Sequence, residues 1–210
     1  MIDDIAEKVY VGERIDLDEA RRLFAHPNLA ELGMLANWVR AQRHPESIVT
    51  YNVGRNINYT NVCWVKCDFC AFYRKPGSDE GYVLPTEQIF AKIDEMVSVG
   101  GNEPKSCEIL MQGGLNPKLR LEYYEELFSA IRDRYPQVHQ HCLSGTEIIY
   151  IAHLSKLSLR ETLRRLRDAG LDSIPGAGAE ILVDDVRDII GFRKDRTSEW
   201  LDVHRIAHEL

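Results

Sequence analysis

Basic side chains are in the minority in this 210-residue chain: 26 Lys and Arg stand against 33 Asp and Glu, a formal net charge of −7. With no basic face to compensate, this balance argues against broad binding to a phosphate backbone, and no nucleic-acid partner is expected. Long apolar runs are lacking as well. No stretch approaches the roughly 20 apolar residues that span a bilayer, so no membrane partner is expected. The opening residues, MIDDIAEKVY, are acidic and do not have the basic-then-apolar layout of a secretory signal. Cysteine is scarce, at five residues, and the odd, clustered set does not resemble a secreted disulfide framework. The expectation is a cytoplasmic protein with reduced thiols. What is present is an ordinary globular composition, 44% hydrophobic and 28% charged, enough for one core.

Residues 1–47 read as a helical segment. Asp16 or Asp18 is a candidate N-cap, and Pro27 breaks the first pattern. Leu29, Leu32, Leu35, Ala36 and Val39 then follow at helical spacing, ended by Pro45. From residue 48 the texture changes, and short apolar runs alternate with amphipathic stretches. Candidate strands are 55–60, 108–112, 138–143 and 171–175, and candidate helices are 85–101, 120–136 and 158–170. Strand, loop and helix repeating at roughly 30-residue spacing predict parallel βαβ units. A last helical pattern, with Trp200, Leu201, Val203, Ile206 and Ala207, runs up to Leu210. Four such units do not close an eight-stranded barrel. The expectation is therefore that 48–210 form a partial barrel, the N-terminal portion of a longer protein.

Three of the five cysteines, Cys63, Cys67 and Cys70, fall in one short loop, NVCWVKCDFCAF. At C-x3-C-x2-C spacing, three thiolates can hold one soft metal centre. Iron–sulfur cubanes normally take four cysteines, one per iron, so a three-cysteine loop leaves one iron open to an outside ligand. A Cys3His zinc site is the competing metal reading, and it would make the chain a non-catalytic binding module. It needs a nearby histidine, and His44 and His139 are distant in sequence. Phe69, Phe72 and Tyr73 would shield a cluster from water, although aromatics beside a turn also simply pack.

The loop directly follows the first predicted strand, at the end where parallel α/β barrels carry their ligand sites. The second strand ends at Gln112 and runs into Gly113 and Gly114, two glycines that allow close backbone approach or make a plain turn. The fourth runs into PGAGAE, which ends in Glu180. On the third strand His139 and His141 alternate with Gln140 and Cys142, so the two pairs face opposite sides. An inward histidine could bind a carboxylate or take a proton, or be a hydrogen-bonded structural side chain. Cys107 and Cys142 read as buried or incidental thiols.

Cys63-Trp-Val-Lys-Cys67-Asp-Phe69-Cys70 resembles the C-x3-C-x-aromatic-C hallmark of the radical S-adenosylmethionine (SAM) superfamily. RNINYTNVCWVKCDFCAFYR, EILMQGGLNP, VHQHCLS and AGLDSIPGAGAEILVDDVR look like its menaquinone futalosine-pathway group. That group includes the cyclic dehypoxanthine futalosine synthases, which the chain resembles most, the aminofutalosine synthases and the deazaflavin FO synthases. The resemblance implies a radical SAM (β/α) TIM-type barrel, here about four βα units of it, and an oxidoreductase. Cys63, Cys67 and Cys70 would hold a [4Fe-4S] cluster whose open iron binds SAM. A 5′-deoxyadenosyl radical would then abstract a ribose hydrogen from dehypoxanthine futalosine, and the new radical would attack the benzoate ring to give the cyclic product. Phe69 would contact the adenine, Gln112, Gly113 and Gly114 would line the methionine end, and Glu180 would reach the ribose. An electron donor such as flavodoxin or ferredoxin would be the partner, and the substrate a small molecule.

Three departures from that group's pattern stand out. The stretch near EPKSC is a few residues long, Gly54 stands where an acidic residue is expected, and PGAGAE replaces PGGGAE. A partial barrel also leaves strand edges unpaired, so poor solubility or little activity is expected of the isolated 210-residue chain.

Overall fold

A computed structural model describes residues 2–46, 48–101 and 106–210. Most of the long stretch near EPKSC therefore lies outside the described residues. The chain forms two compact units, Met1–Tyr51 and Asn52–Leu210.

The first unit contains α1 (Asp3–Tyr10), α2 (Leu17–Phe24) and α3 (Leu29–Arg43). Of the two candidate caps, Asp16 is the one used. Its carboxylate accepts from Glu19 N at 2.9 Å, and Glu19 accepts from Asp16 N at 2.7 Å, a reciprocal capping box. Asn28, after the break at Pro27, caps α3. The core here is small: Ile2, Ile5 and Leu35. Of the helical stripe read along α3, Leu35 is buried, whereas Leu29 is 78% exposed. With so few helices to cover it, α1 buries Ile5, α3 buries Leu35 and α2 buries no residue fully, so the rest of the stripe faces outward.

The second unit is built on β1 (Val53–Asn58), β2 (Cys107–Gln112) and β3 (His139–Cys142), parallel and adjacent in that order. Helices α4 (Thr86–Gly100) and α5 (Leu121–Arg134) form the connections. After β3 come α6 (Gly145–Ser155), α7 (Leu159–Asp168), α8 (Asp184–Ile190) and α9 (Thr197–Glu209). The fourth predicted strand is reduced to one parallel bridge, His141 with Ser173, held by Cys142 N donating to Ser173 O at 3.1 Å. Pro175 and the glycines after it take the chain out of the ladder before more pairs form.

Alternation along the strands sorts the side chains. Ile57, Ile109, Met111 and Cys142 point into the core, where they meet Ile89 and Ile93 of α4 and Leu121, Phe128 and Ile131 of α5. Each large apolar side chain so buried contributes on the order of 2 kcal/mol. The stripe Leu121, Tyr124, Leu127, Phe128 and Ile131 is buried throughout, as its spacing predicts. Asn58 and Gln112 pair on the opposite face, and Leu110 pairs with His141. All three strands end on the same edge, and the loops leaving that edge carry the cysteines and glycines.

Candidate active site

The cysteine loop leaves β1 through Tyr59–Val62 and is anchored before the first cysteine. Thr60 and Asn61 are buried polar residues that bind the returning chain. Thr60 Oγ1 donates to Tyr82 O at 2.6 Å, Asn61 Nδ2 donates to Glu80 O at 2.9 Å, and Tyr82 N donates to Asn61 Oδ1 at 2.8 Å. Arg74 closes the loop. Its amide donates to Asn61 O at 2.7 Å, its carbonyl accepts from Cys63 N at 2.9 Å, and its guanidinium binds Tyr73 O at 3.0 Å and the Glu80 carboxylate. Lys66 takes a left-handed φ of +60°, so the chain reverses between Cys63 and Cys67. Cys70 N then donates to Cys67 O at 3.1 Å.

Cys63, Cys67 and Cys70 share a cleft of about 310 Å³ with Phe69, Gln112, Gly113, Gly114 and Glu180. The structure thus places together residues that follow β1, β2 and the single bridge at Ser173. His139 and His141 lie lower on β3, outside this cleft. Their rings meet at Ser173, whose Oγ is 2.7 Å from His139 Nε2 and 2.6 Å from His141 Nδ1. Phe69 and Phe72, expected to shield a cluster, are 53% and 42% exposed and stand at the rim.

The two glycines have a structural reason of their own. A Cβ on Gly113 would come within 2.8 Å of the Tyr59 ring, and one on Gly114 within 2.4 Å of Val62 O and 2.8 Å of Cys63 Cβ. Their missing side chains let β2's exit lie directly against the start of the cysteine loop.

Two charged residues in the cleft wall escaped the sequence reading. Glu147 of α6 is buried and surrounded by donors: Tyr59 OH at 2.8 Å, Gly113 N at 2.9 Å, and Ser144 N and Oγ both at 2.7 Å. Burial pushes its carboxyl up, and the donors from Ser144, Tyr59 and Gly113 pull it down. The pattern Ser144-x-x-Glu147 is a capping-box signature, which would have located both Glu147 and α6. Lys194 is the second, ion-paired with Glu180. It sits in an irregular turn after α8, where no periodic pattern marks it.

Burial pushes the Cys67 thiol up. The Lys194 ammonium opposes this, while Cys63, Glu180 and Cys70 add to it. Among the described residues, however, no three His, Cys, Asp or Glu side chains converge closely enough to hold one metal ion. A cubane asks for something else, one thiolate at each of several separate irons. Three thiols lining one cleft fit that donor set, whereas the histidine that a Cys3His zinc site needs is not among the residues lining it.

The radical SAM superfamily model matches residues 57–210. The chain belongs to the radical SAM superfamily. It is 44% identical over 209 residues to a cyclic dehypoxanthine futalosine synthase of Halalkalibacterium halodurans, an alignment covering 100% of this chain and 55% of that protein. It is 40% identical to a 5-amino-6-(D-ribitylamino)uracil–L-tyrosine 4-hydroxyphenyl transferase of Methanococcoides burtonii, covering 99% and 55%. The chain spans about half the length of the curated relatives it matches. Among solved structures it is similar to the FeFe-hydrogenase maturase HydG of Carboxydothermus hydrogenoformans, with a TM-score of 0.69 at 20% identity over 99% of this chain and 45% of the other. The fold is the N-terminal portion of a radical SAM TIM-type barrel.

Proposed function

We propose that the chain is the cluster-bearing part of an enzyme that converts dehypoxanthine futalosine to cyclic dehypoxanthine futalosine, a step of menaquinone biosynthesis. One observation carries the reading: three thiols, two glycines, an aromatic ring and a carboxylate from different strand exits line a single cleft. The choice of substrate is supported by the 44% identity to a relative of that name.

Cys63, Cys67 and Cys70 would hold a [4Fe-4S] cluster. When bound, the cluster and SAM would supply reductive sulfonium cleavage and hydrogen abstraction. The chain's own residues orient and enclose. Gln112, Gly113 and Gly114 would form the floor at the methionine end. Phe69, ring exposed at the rim, would stack the adenine, and Glu180 would accept ribose hydroxyls. Glu147 accepts from the Gly113 amide and so holds that part of the floor in place. A donor of the flavodoxin or ferredoxin class would deliver the electron, and reduced thiols fit work in the cytoplasm.

The test is mass spectrometry of the product made by the complete gene product under anaerobic, reducing conditions. Dehypoxanthine futalosine should give a cyclic product that has lost a pair of hydrogens. A second reading, transfer of a tyrosine-derived hydroxyphenyl group, is supported by the 40% identical relative. Turnover of tyrosine with the ribitylaminouracil, and none of dehypoxanthine futalosine, would replace the first reading by the second.

A further inference from the structure

We propose that Lys194 is a positioning residue for the nucleoside end of the cleft, holding the Glu180 carboxylate beside Phe69 as an acceptor for paired hydroxyls. The inference deepens the radical SAM reading and rests on it.

Lys194 reaches the cleft from the turn after α8, with its side chain only 9% exposed, while that of Glu180 is 30% exposed. Its ammonium meets Glu180 Oε2 and lies 5.9 Å from the centre of the Phe69 ring. A carboxylate offers about four lone-pair directions on two oxygens, so one ammonium leaves it able to accept hydroxyls. A carboxylate and an aromatic face in one wall are what a ribose diol and its base require. The ammonium offsets the charge where it stands.

The placement is built from two sides. Glu180 has a left-handed φ of +40°, unusual for a residue with a side chain, which persists only where the surroundings dictate it. Arg187 supplies that constraint from behind. Its guanidinium binds the carbonyls of Gly178 at 3.3 Å, Ala179 at 2.7 Å and Ile181 at 3.4 Å, and pairs with buried Asp195 at 2.9 Å. Lys194 is set by its own turn, with its amide donating to Gly191 O at 2.8 Å. That turn presses on the cluster loop. A Cβ on Gly191 would stand 3.3 Å from Cys67 Sγ, and Asp68 N donates to Ile190 O at 2.9 Å. One segment, 187–195, therefore shapes the Glu180 strap and braces the cysteines together.

The test is equilibrium dialysis of the anaerobically reconstituted complete protein with SAM and with its 2′,3′-dideoxyribose analogue. In the wild type, SAM should bind more tightly than the analogue. Lys194→Met should weaken SAM about tenfold, the scale of one charge-assisted hydrogen bond, and leave the analogue nearly unchanged. Lys194→Arg should keep most of the discrimination, and iron content should match the wild type in both. Equal loss for the two ligands, or no loss, overturns the proposal. Should Lys194→Met fail to take up iron, Glu180→Gln decides the matter: retained discrimination sinks the idea. Wild-type protein that takes up a cluster and binds no SAM overturns the radical SAM reading itself, a different failure.

Discussion

Glu147 accepts a hydrogen bond from Gly113 N at 2.9 Å, joining the first turn of α6 to the exit of β2. The same carboxylate takes Tyr59 OH at 2.8 Å, so the exit of β1 is held by it too. One buried acid thus sets the spacing of the elements that form the cleft floor.

Removing that acid strands several buried donors at once. Glu147→Ala is expected to cost about 3 kcal/mol, because each buried donor left unpaired loses its desolvation compensation. Denaturant unfolding checks it. A loss below about 1 kcal/mol would mean that water replaces the carboxylate without penalty.

Glycines of the second unit should answer differently to the same change. Gly114→Ala forces a Cβ to 2.4 Å from Val62 O and should destabilise by about 2 kcal/mol, displacing the start of the cysteine loop. Gly54→Ala meets only Glu108 O at 3.6 Å, an ordinary contact, and should stay within about 0.5 kcal/mol. Paired unfolding curves and iron uptake decide this. Equal effects at both positions would contradict the packing argument.

Much of this arrangement was readable in the residues. Helix stripes such as Leu121 to Ile131 carry their period openly, and the three-cysteine spacing states its donor set. Helix α6 shows no periodic stripe, because Ile148, Ile149, Ile151 and Ala152 leave it too uniformly apolar, although Ser144-x-x-Glu147 marks its start. The strand expected at 171–175 is a single bridge at Ser173: its apolar residues pack, but Pro175 limits further pairing. Lys194 and Glu180 are brought together by a turn and a strap with no periodic pattern, so their pairing is a tertiary fact. His139 and His141 alternate correctly, yet no sequence rule places Ser173 between them.

Thiol chemistry should divide the cysteines into two sets. Cys63, Cys67 and Cys70 line the cleft and are partly exposed, whereas Cys107 and Cys142 are buried. Burial also pushes the Cys142 thiol well up. Without a cluster, alkylation of the folded protein should label the first three, and all five should react only in denaturant. Mass spectrometry of the labelled peptides reads this out, and early labelling of Cys142 would contradict the core described for β3.

High pH should unfold the second unit through its phenols. Burial pushes Tyr123 up to about 12, and burial with the neighbouring Asp94 takes Tyr135 to about 12 as well. Tyr59 and Tyr124 are raised in the same direction, chiefly by burial. A raised folded-state pKa contributes stability in full below the ordinary value of 10.0, and that stability is lost as pH rises through about 12. Tyrosinate absorbance should therefore rise together with loss of helical signal in that window. Ionisation of all the phenols near 10, with structure intact, would contradict it.

The most direct test of the central claim is iron and sulfide analysis of the anaerobically reconstituted protein, followed by electron paramagnetic resonance with and without SAM. The account predicts about four irons per chain, a reduced-cluster signal that shifts when SAM is added, and loss of both in Cys67→Ala but not in Cys142→Ser. One tightly held zinc with no sulfide, or a cluster signal that SAM leaves unchanged, would contradict it.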